Sequence, residues 1–263
     1  MYKYEQIARQ ARVKVLSLIY KSQVSHIGSN FSAIDIMTVL LEKADVNKDE
    51  VILSKGWAAA AWYFFLNRKG IITDDELNSF CQPNSKFIGL TEPQNHWGLR
   101  FAGGSMGLAF PAAVGFALSK KLKGEKGTVY CLMSDGEMQI GTTWESALIA
   151  AHHKLDNLVV FVDNNNLQAM GKTNEILNIR PLKDKWLDFG WSVTAINGHV
   201  FEEIEKSFFG PVQQFVKLSE SPSLIIAKTI KGKGISWMEA DNLWHYSRLS
   251  DEDYQKALKE LNG

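Results

Sequence analysis

Two apolar runs, "TVYCLM" (128–133) and "LVVFVD" (158–163), flank a helical pattern in "TTWESALIAAHHKL", where Trp144, Ala147, Leu148 and Ala151 recur along the segment. Runs that are apolar throughout, rather than alternating, are strands buried on both faces. Strand, helix, strand over this length is a βαβ unit, so the two strands are expected to be parallel neighbours joined by a right-handed crossover. That unit constrains the rest of the chain, because a parallel sheet needs helices on both sides. "VILS" (51–54), "WSVTAI" (191–196) and "LIIAKTI" (224–230) read as further buried strands, with helical patterns between the last two. The alternation predicts one α/β domain over residues 1–263, three layers deep, with a central parallel sheet flanked by helices.

The helices are legible from their spacing and their ends. Ile7, Ala11, Val15, Leu18 and Ile19 fall on one helical face. "SHIGSNF" is expected to break that helix, and Ser32 with Asp35 forms a capping-box-like start for the next, "AIDIMTVLLEKA". "KGWAAAAWYFFLNRKG" reads as a helix ended by Gly70, and "LAFPAAVGFALSKKLKG" as one ended by Gly124. Residues 82–107, rich in Gly, Pro and Asn, are expected to be irregular. A loop of that length with so many apolar residues points to function rather than disorder. "SDEDYQKALKEL" closes the chain as a capped helix.

Composition excludes several classes. Lys plus Arg and Asp plus Glu both total 29, a formal net charge of zero, whereas a nucleic-acid binder carries a basic stripe. No apolar run reaches membrane-spanning length, and the charged "MYKYEQIARQ" start is no signal peptide. Two cysteines, Cys81 and Cys131, make no disulfide framework, so a reducing, cytoplasmic setting is expected.

The chemistry lies where parallel strands end, since ligands of open α/β sheets bind beyond the carboxyl edge. "SDGE" follows the first strand of the βαβ unit and "DNNNLQAMG" overlaps the end of the second. Adjacent parallel strands bring Asp135 and Asn165 side by side. A carboxylate and an amide oxygen together suit a hard cation, magnesium or calcium. Gly136 offers a backbone N–H at a helix entrance, a natural phosphate contact. Each cluster taken separately is more often a plain turn or loop. Together, at the two ends of one crossover, they point to a metal and a diphosphate.

"SDGE", about thirty residues and "NNN" resemble the thiamine-diphosphate signature, and the resemblance extends over nearly the whole chain. "SHIGSNFSAIDIMTVLL", "VILSKGWAAAAWY", "GGSMG", "AAHHKLDNLVVFVDNNNLQAMG", "KDKWLDFGWSV" and "KTIKGKGISWMEADNLWHY" are all similar to segments of the N-terminal, diphosphate-binding half of transketolases. The resemblance implies the thiamine-diphosphate-binding fold. It implies that Asp135, Asn165 and the Leu167 carbonyl bind the metal, and that Gly136 and Glu137 contact the cofactor. Gly104 and Met106 would border its aminopyrimidine ring, and His26 and His245 would be catalytic. His152 and His153 read as structural, whereas His96 and Trp97 lie in the long irregular loop and could face the site.

Four positions depart from the family: Ser134 for a glycine, Trp57 and Leu90 for histidines, and Ile140 for a glutamate. The cofactor ligands are kept and the sugar-facing groups are not, which favours a thiamine enzyme with an altered substrate. The resemblance implies transfer of a two-carbon ketol unit from a ketose donor, a sugar or sugar phosphate, to an aldehyde acceptor. It also implies a separate C-terminal subunit, in an α2β2 assembly, that completes the site. Two alternatives stay open: acyl or acyloin transfer from a 2-oxo acid, and a degenerate regulatory subunit.

Overall fold

Residues 3–208 and 220–263 are described in a computed structural model. Two long helices, α1 (Lys3–Ser22) and α2 (Ile27–Lys43), precede strand β1 (Glu50–Leu53), a 3-10 turn at Gly56–Ala58 and helix α3 (Ala59–Arg68). After α4 (Asp74–Asn78) the chain runs without regular structure to α5 (Ala109–Lys123). Then come β2 (Val129–Ser134), a 3-10 turn, α6 (Gly141–His152) and β3 (Leu158–Asn164). A small hairpin, β4 (Leu167–Gln168) and β5 (Gly171–Lys172), leads into α7 (Thr173–Ile176), α8 (Leu182–Asp188) and β6 (Ser192–Asn197). Helix α9 (Phe201–Ser207), strand β7 (Ser223–Lys228), a 3-10 turn at Asn242–His245 and α10 (Asp251–Asn262) complete the order. The rest of the helical pattern expected between 196 and 224, at 209–219, lies outside the described residues.

The main sheet is parallel throughout, in the order β1-β2-β3-β7-β6. Its strands sort their side chains by alternation. Val51, Leu53, Leu132, Phe161, Ile225 and Ala227 pack into one core with α1, α2 and α3. Ile52, Cys131, Met133, Val160, Val162, Leu224 and Ile226 enter a second core under α5, α6 and α8. Two filled faces explain why the strands read as continuous apolar runs. Among the described residues no helix is long and apolar enough to cross a membrane.

The second helix begins earlier than its sequence suggests. The break falls at residues 23–26, and Ser29 and Asn30 already donate their N–H groups to the His26 carbonyl. Ser32 and Asp35 lie inside α2 and face inward. Ser32 donates to Asp163 at 2.6 Å, while Asp35 takes Arg12 at 2.9 Å and His199 at 2.7 Å. The residues that mimic a cap therefore bond across the core.

The irregular stretch after α4 is pinned by aromatic donors. Trp62 donates to the Gly98 carbonyl at 2.8 Å, Trp97 to Asp49 at 2.7 Å and Tyr63 to Leu90 at 3.0 Å. Its return passes over the end of β1 through a glycine contact: a Cβ on Gly56 would stand 1.7 Å from the Gly103 carbonyl oxygen. Gly56→Ala should therefore push backbone against backbone and destabilise the fold by roughly 1–3 kcal/mol. Gly115→Ala, in α5 with nothing within 4 Å of the added methyl, should be neutral or stabilising. Thermal unfolding of the full chain checks the opposite signs.

Candidate active site

A cleft of about 470 Å³ opens at the carboxyl ends of the central strands. The register pairs Ser134 with Asp163, so the segments following β2 and β3 leave the sheet together. Asp135, Gly136, Asn165, Leu167 and Gln168 form one side of the cleft. Ser25, His26 and Ser29 reach it from the start of α2, Lys55 and Trp57 from the end of β1, and His245 and Tyr246 from the last 3-10 turn.

Asp135 is 1 % exposed. Its carboxylate accepts the N–H groups of Gly136 at 2.9 Å and Asn166 at 2.6 Å. Burial and the neighbouring Asp163 carboxylate push its pKa up to about 7. A second positive charge at this spot would reverse that. Lys55 already serves Asp163: the two form a buried ion pair, and Asp163 also accepts from Ser32 and Thr229. Burial alone would raise Asp163, but the Lys55 ammonium and these hydrogen bonds hold it below its ordinary value.

Two imidazoles meet at the other wall. His26 and His245 stand edge to face with ring centres 4.7 Å apart, and the His26 N–H donates to the His245 carbonyl at 3.0 Å. His26 adopts a left-handed φ of 73°, uncommon outside glycine, which turns the chain into α2. Its Nδ1 lies 2.7 Å from Ser25 Oγ, and Trp57 stacks flat on the ring at 3.9 Å and 7°. The Nδ1 of His245 lies 2.6 Å from the Lys231 ammonium, which also donates to Asn242 at 2.9 Å. An ammonium can only donate, so His245 accepts at Nδ1 and carries its proton on Nε2. Burial and the Lys231 charge lower His26 to about 4 and His245 to about 3, so both rings are neutral. Burial and the Lys55 charge lower Lys231 itself to about 8.

These groups fit a divalent cation carrying a diphosphate. The cation side offers one carboxylate, an amide oxygen and a backbone carbonyl, all hard oxygen donors. Among the described residues no group of three His, Cys, Asp or Glu could hold a metal alone, so the remaining ligands and charge would come from the diphosphate. The buried amide nitrogen of Gln168, on the cleft wall, has no hydrogen-bond partner among the described residues. An unpaired buried donor beside a cation site and close to lysines suits a phosphate oxygen.

Of the residues expected from sequence, His26, Met106, Asp135, Gly136, Asn165, Leu167 and His245 line this cleft. Gly104 and Glu137 do not. Glu137 is fully buried and ties two segments together, accepting from Ser54 Oγ and from the Gly107 N–H at 3.1 Å. Burial pushes it up to about 7. Ile140 packs against the same loop at Gly107. Leu90 is half-buried beside Gly104, while Trp97 bonds to Asp49 before β1, remote from the strand ends. Lys55, Lys231 and Gln168 do not stand out in the sequence. A signal exists for the lysines, since Lys55 and Lys231 each follow a buried strand within a few residues, as Asp135 does.

The family described as transketolase, thiamine diphosphate binding domain, matches residues 4–263. One of the two subunits of an apulose-4-phosphate transketolase from Phocaeicola vulgatus is 31% identical, over 95% of this chain and 91% of its own length. A 6-deoxy-6-sulfo-D-fructose transketolase subunit of a Clostridium species is 34% identical, over 97% of this chain and 94% of its own. The structure of a Campylobacter jejuni transketolase superposes with a TM-score of 0.86 at 30% identity, covering 100% of this chain and 43% of that one. A Leishmania mexicana transketolase, 21% identical with a TM-score of 0.87, shows the shared fold. The chain thus spans about two fifths of those two transketolases and nearly the whole of the two subunits.

Because His26 and His245 are held below the ordinary histidine value of 6.5, the unfolded chain takes up protons first as pH falls. Their contribution to stability is complete above 6.5 and is lost on acidification toward 4. The denaturant midpoint of the full chain should fall between pH 7.5 and 5 (about the range where free histidine titrates). It should fall less in the His26→Gln/His245→Gln double variant.

Proposed function

The chain belongs to the transketolase thiamine-diphosphate-binding domain family, and from that premise we propose that it is the metal- and diphosphate-binding subunit of a two-subunit transketolase. The observation that carries the reading is Asp135. It is a buried carboxylate raised by its neighbour, placed beside Asn165 and Leu167, with lysines and an unpaired amide nearby. Relatives of matching length are themselves transketolase subunits, which supports a partner that closes the cleft, in an α2β2 arrangement. It also favours ketol transfer over 2-oxo-acid chemistry or a purely regulatory role. Two free cysteines fit a cytoplasmic setting.

Asp135, Asn165 and the Leu167 carbonyl hold magnesium, or calcium, and through it the diphosphate. Gly136, Gln168 and Lys231 supply N–H donors to the phosphate oxygens. When bound, thiamine diphosphate supplies the electron sink that lets a bond beside a ketose carbonyl break. His245, fixed with its proton on Nε2, donates a hydrogen bond to a substrate oxygen that gains negative charge. His26, neutral and stacked, presents one edge to the same region while Trp57 excludes water from its face. Donor and acceptor are a ketose and an aldose or aldehyde, sugars or sugar phosphates. The two named relatives act on a phosphate-bearing and a sulfonate-bearing ketose.

Asp135→Asn should weaken magnesium-dependent binding of thiamine diphosphate by a hundredfold or more, on the order of the loss of a metal-site group. Calorimetry with the full chain measures this, and unchanged affinity would remove Asp135 from the metal. The purified chain should show no ketol transfer until its partner subunit is added. Enzyme-like turnover by the chain alone would rule out the two-subunit reading.

A further inference from the structure

A second compartment of about 370 Å³ lies against the first and shares Ser25, His26, Trp57 and Tyr246 with it. The common wall is one stacked pair thick, with His26 and Trp57 3.9 Å apart, and the indole remains 40% exposed. A molecule that presents its reacting carbon to His26 and His245 can place its remainder across this wall.

The polar capacity left on the far side is that of a donor. Asn30 is fully engaged: it donates to the His26 and Trp57 carbonyls and accepts the Ala61 N–H. The Gln23 amide nitrogen donates to Tyr20 and Leu249. Arg248 is exposed at the rim, and no hydrogen bond or ion pair engages its guanidinium among the described residues. No carboxylate and no second lysine or arginine lines the compartment. The rest of the wall includes Ile19, Val24 and Phe80, which limit water and strengthen any charge contact made there.

We infer that this compartment seats the distal end of the substrate, and that Arg248 binds an anionic group carried there, a phosphate or a sulfonate. The inference rests on the two-carbon transfer proposed above. A guanidinium presents a planar fork that pairs two oxygens of such a group at once, which a point charge cannot do. The indole of Trp57 gives the intervening carbons an apolar surface to cross. Trp57 and Arg248 together select length and terminal charge from this chain's side of the site.

The test uses the chain assembled with its partner subunit and three ketose donors of equal length, ending in phosphate, sulfonate or a hydroxyl. Arg248→Gln should raise KM for an anionic donor about tenfold or more relative to the uncharged one, and Arg248→Lys should raise it less. An effect confined to the phosphate or to the sulfonate donor supports the subsite and identifies its ligand. Equal shifts for charged and uncharged donors, or none, overturn it. If the wild-type assembly transfers from none of the three, the proposed reaction fails, and a second arm decides the subsite. In the full chain Cys131 is buried and Cys81 lines the compartment, so thiol alkylation reports on Cys81. Inorganic phosphate should slow that alkylation in the wild type and not in Arg248→Gln. Equal slowing in both, or none in either, overturns the assignment.

Discussion

The parallel pairing of β2 with β3 fixes everything at the site. It sets Ser134 opposite Asp163, so a buried carboxylate lies in one strand and another just beyond the end of its neighbour. Two such charges repel, and the fold treats them differently. Lys55, from the end of β1, pairs with Asp163 inside the protein. Asp135 has backbone N–H groups but no cation of its own, and burial beside Asp163 lifts it to about 7. The sheet therefore carries one neutralised carboxylate as structure and one that calls for a proton or a metal. A slip of one residue in this register would reverse both faces of β3 and undo the two cores as well as the site.

The opposite wall follows the same logic with the sign changed. Lys231 is almost completely buried and lies close to Lys55, yet its ammonium is held by an imidazole and an amide rather than a carboxylate. A cation arranged in that way suits a mobile anion. His245 gains a fixed tautomer from the contact, and His26 is held by Ser25, Trp57 and the backbone of His245. Cation site, cationic wall and neutral imidazoles belong to one electrostatic design, matched to a metal–diphosphate pair.

Much of this was legible in the sequence because β2 and β3 are buried on both faces. That burial produced the apolar runs, and the runs located the strand ends with Asp135 and Asn165. The resemblance of "SDGE…NNN" supplied the cofactor. What stayed hidden depends on distant partners. Ser32 and Asp35 look like a cap because capping and core networks use the same short polar side chains; only the fold shows that Ser32 reaches Asp163. Glu137 follows the Asp135–Gly136 pair in sequence but turns inward to bind Ser54 and the loop at Gly107. The placement of β7 between β3 and β6 was likewise beyond local pattern, since any buried strand could occupy it.

The most direct measurement replaces magnesium with manganese in the assembled enzyme and reads phosphorus hyperfine couplings on the metal in the presence of thiamine diphosphate. The account predicts strong phosphorus couplings together with oxygen-only protein ligands, because the Asp135, Asn165 and Leu167 set cannot complete a coordination shell without the diphosphate. A bound manganese with no phosphorus coupling, or with a nitrogen ligand from an imidazole, would contradict it.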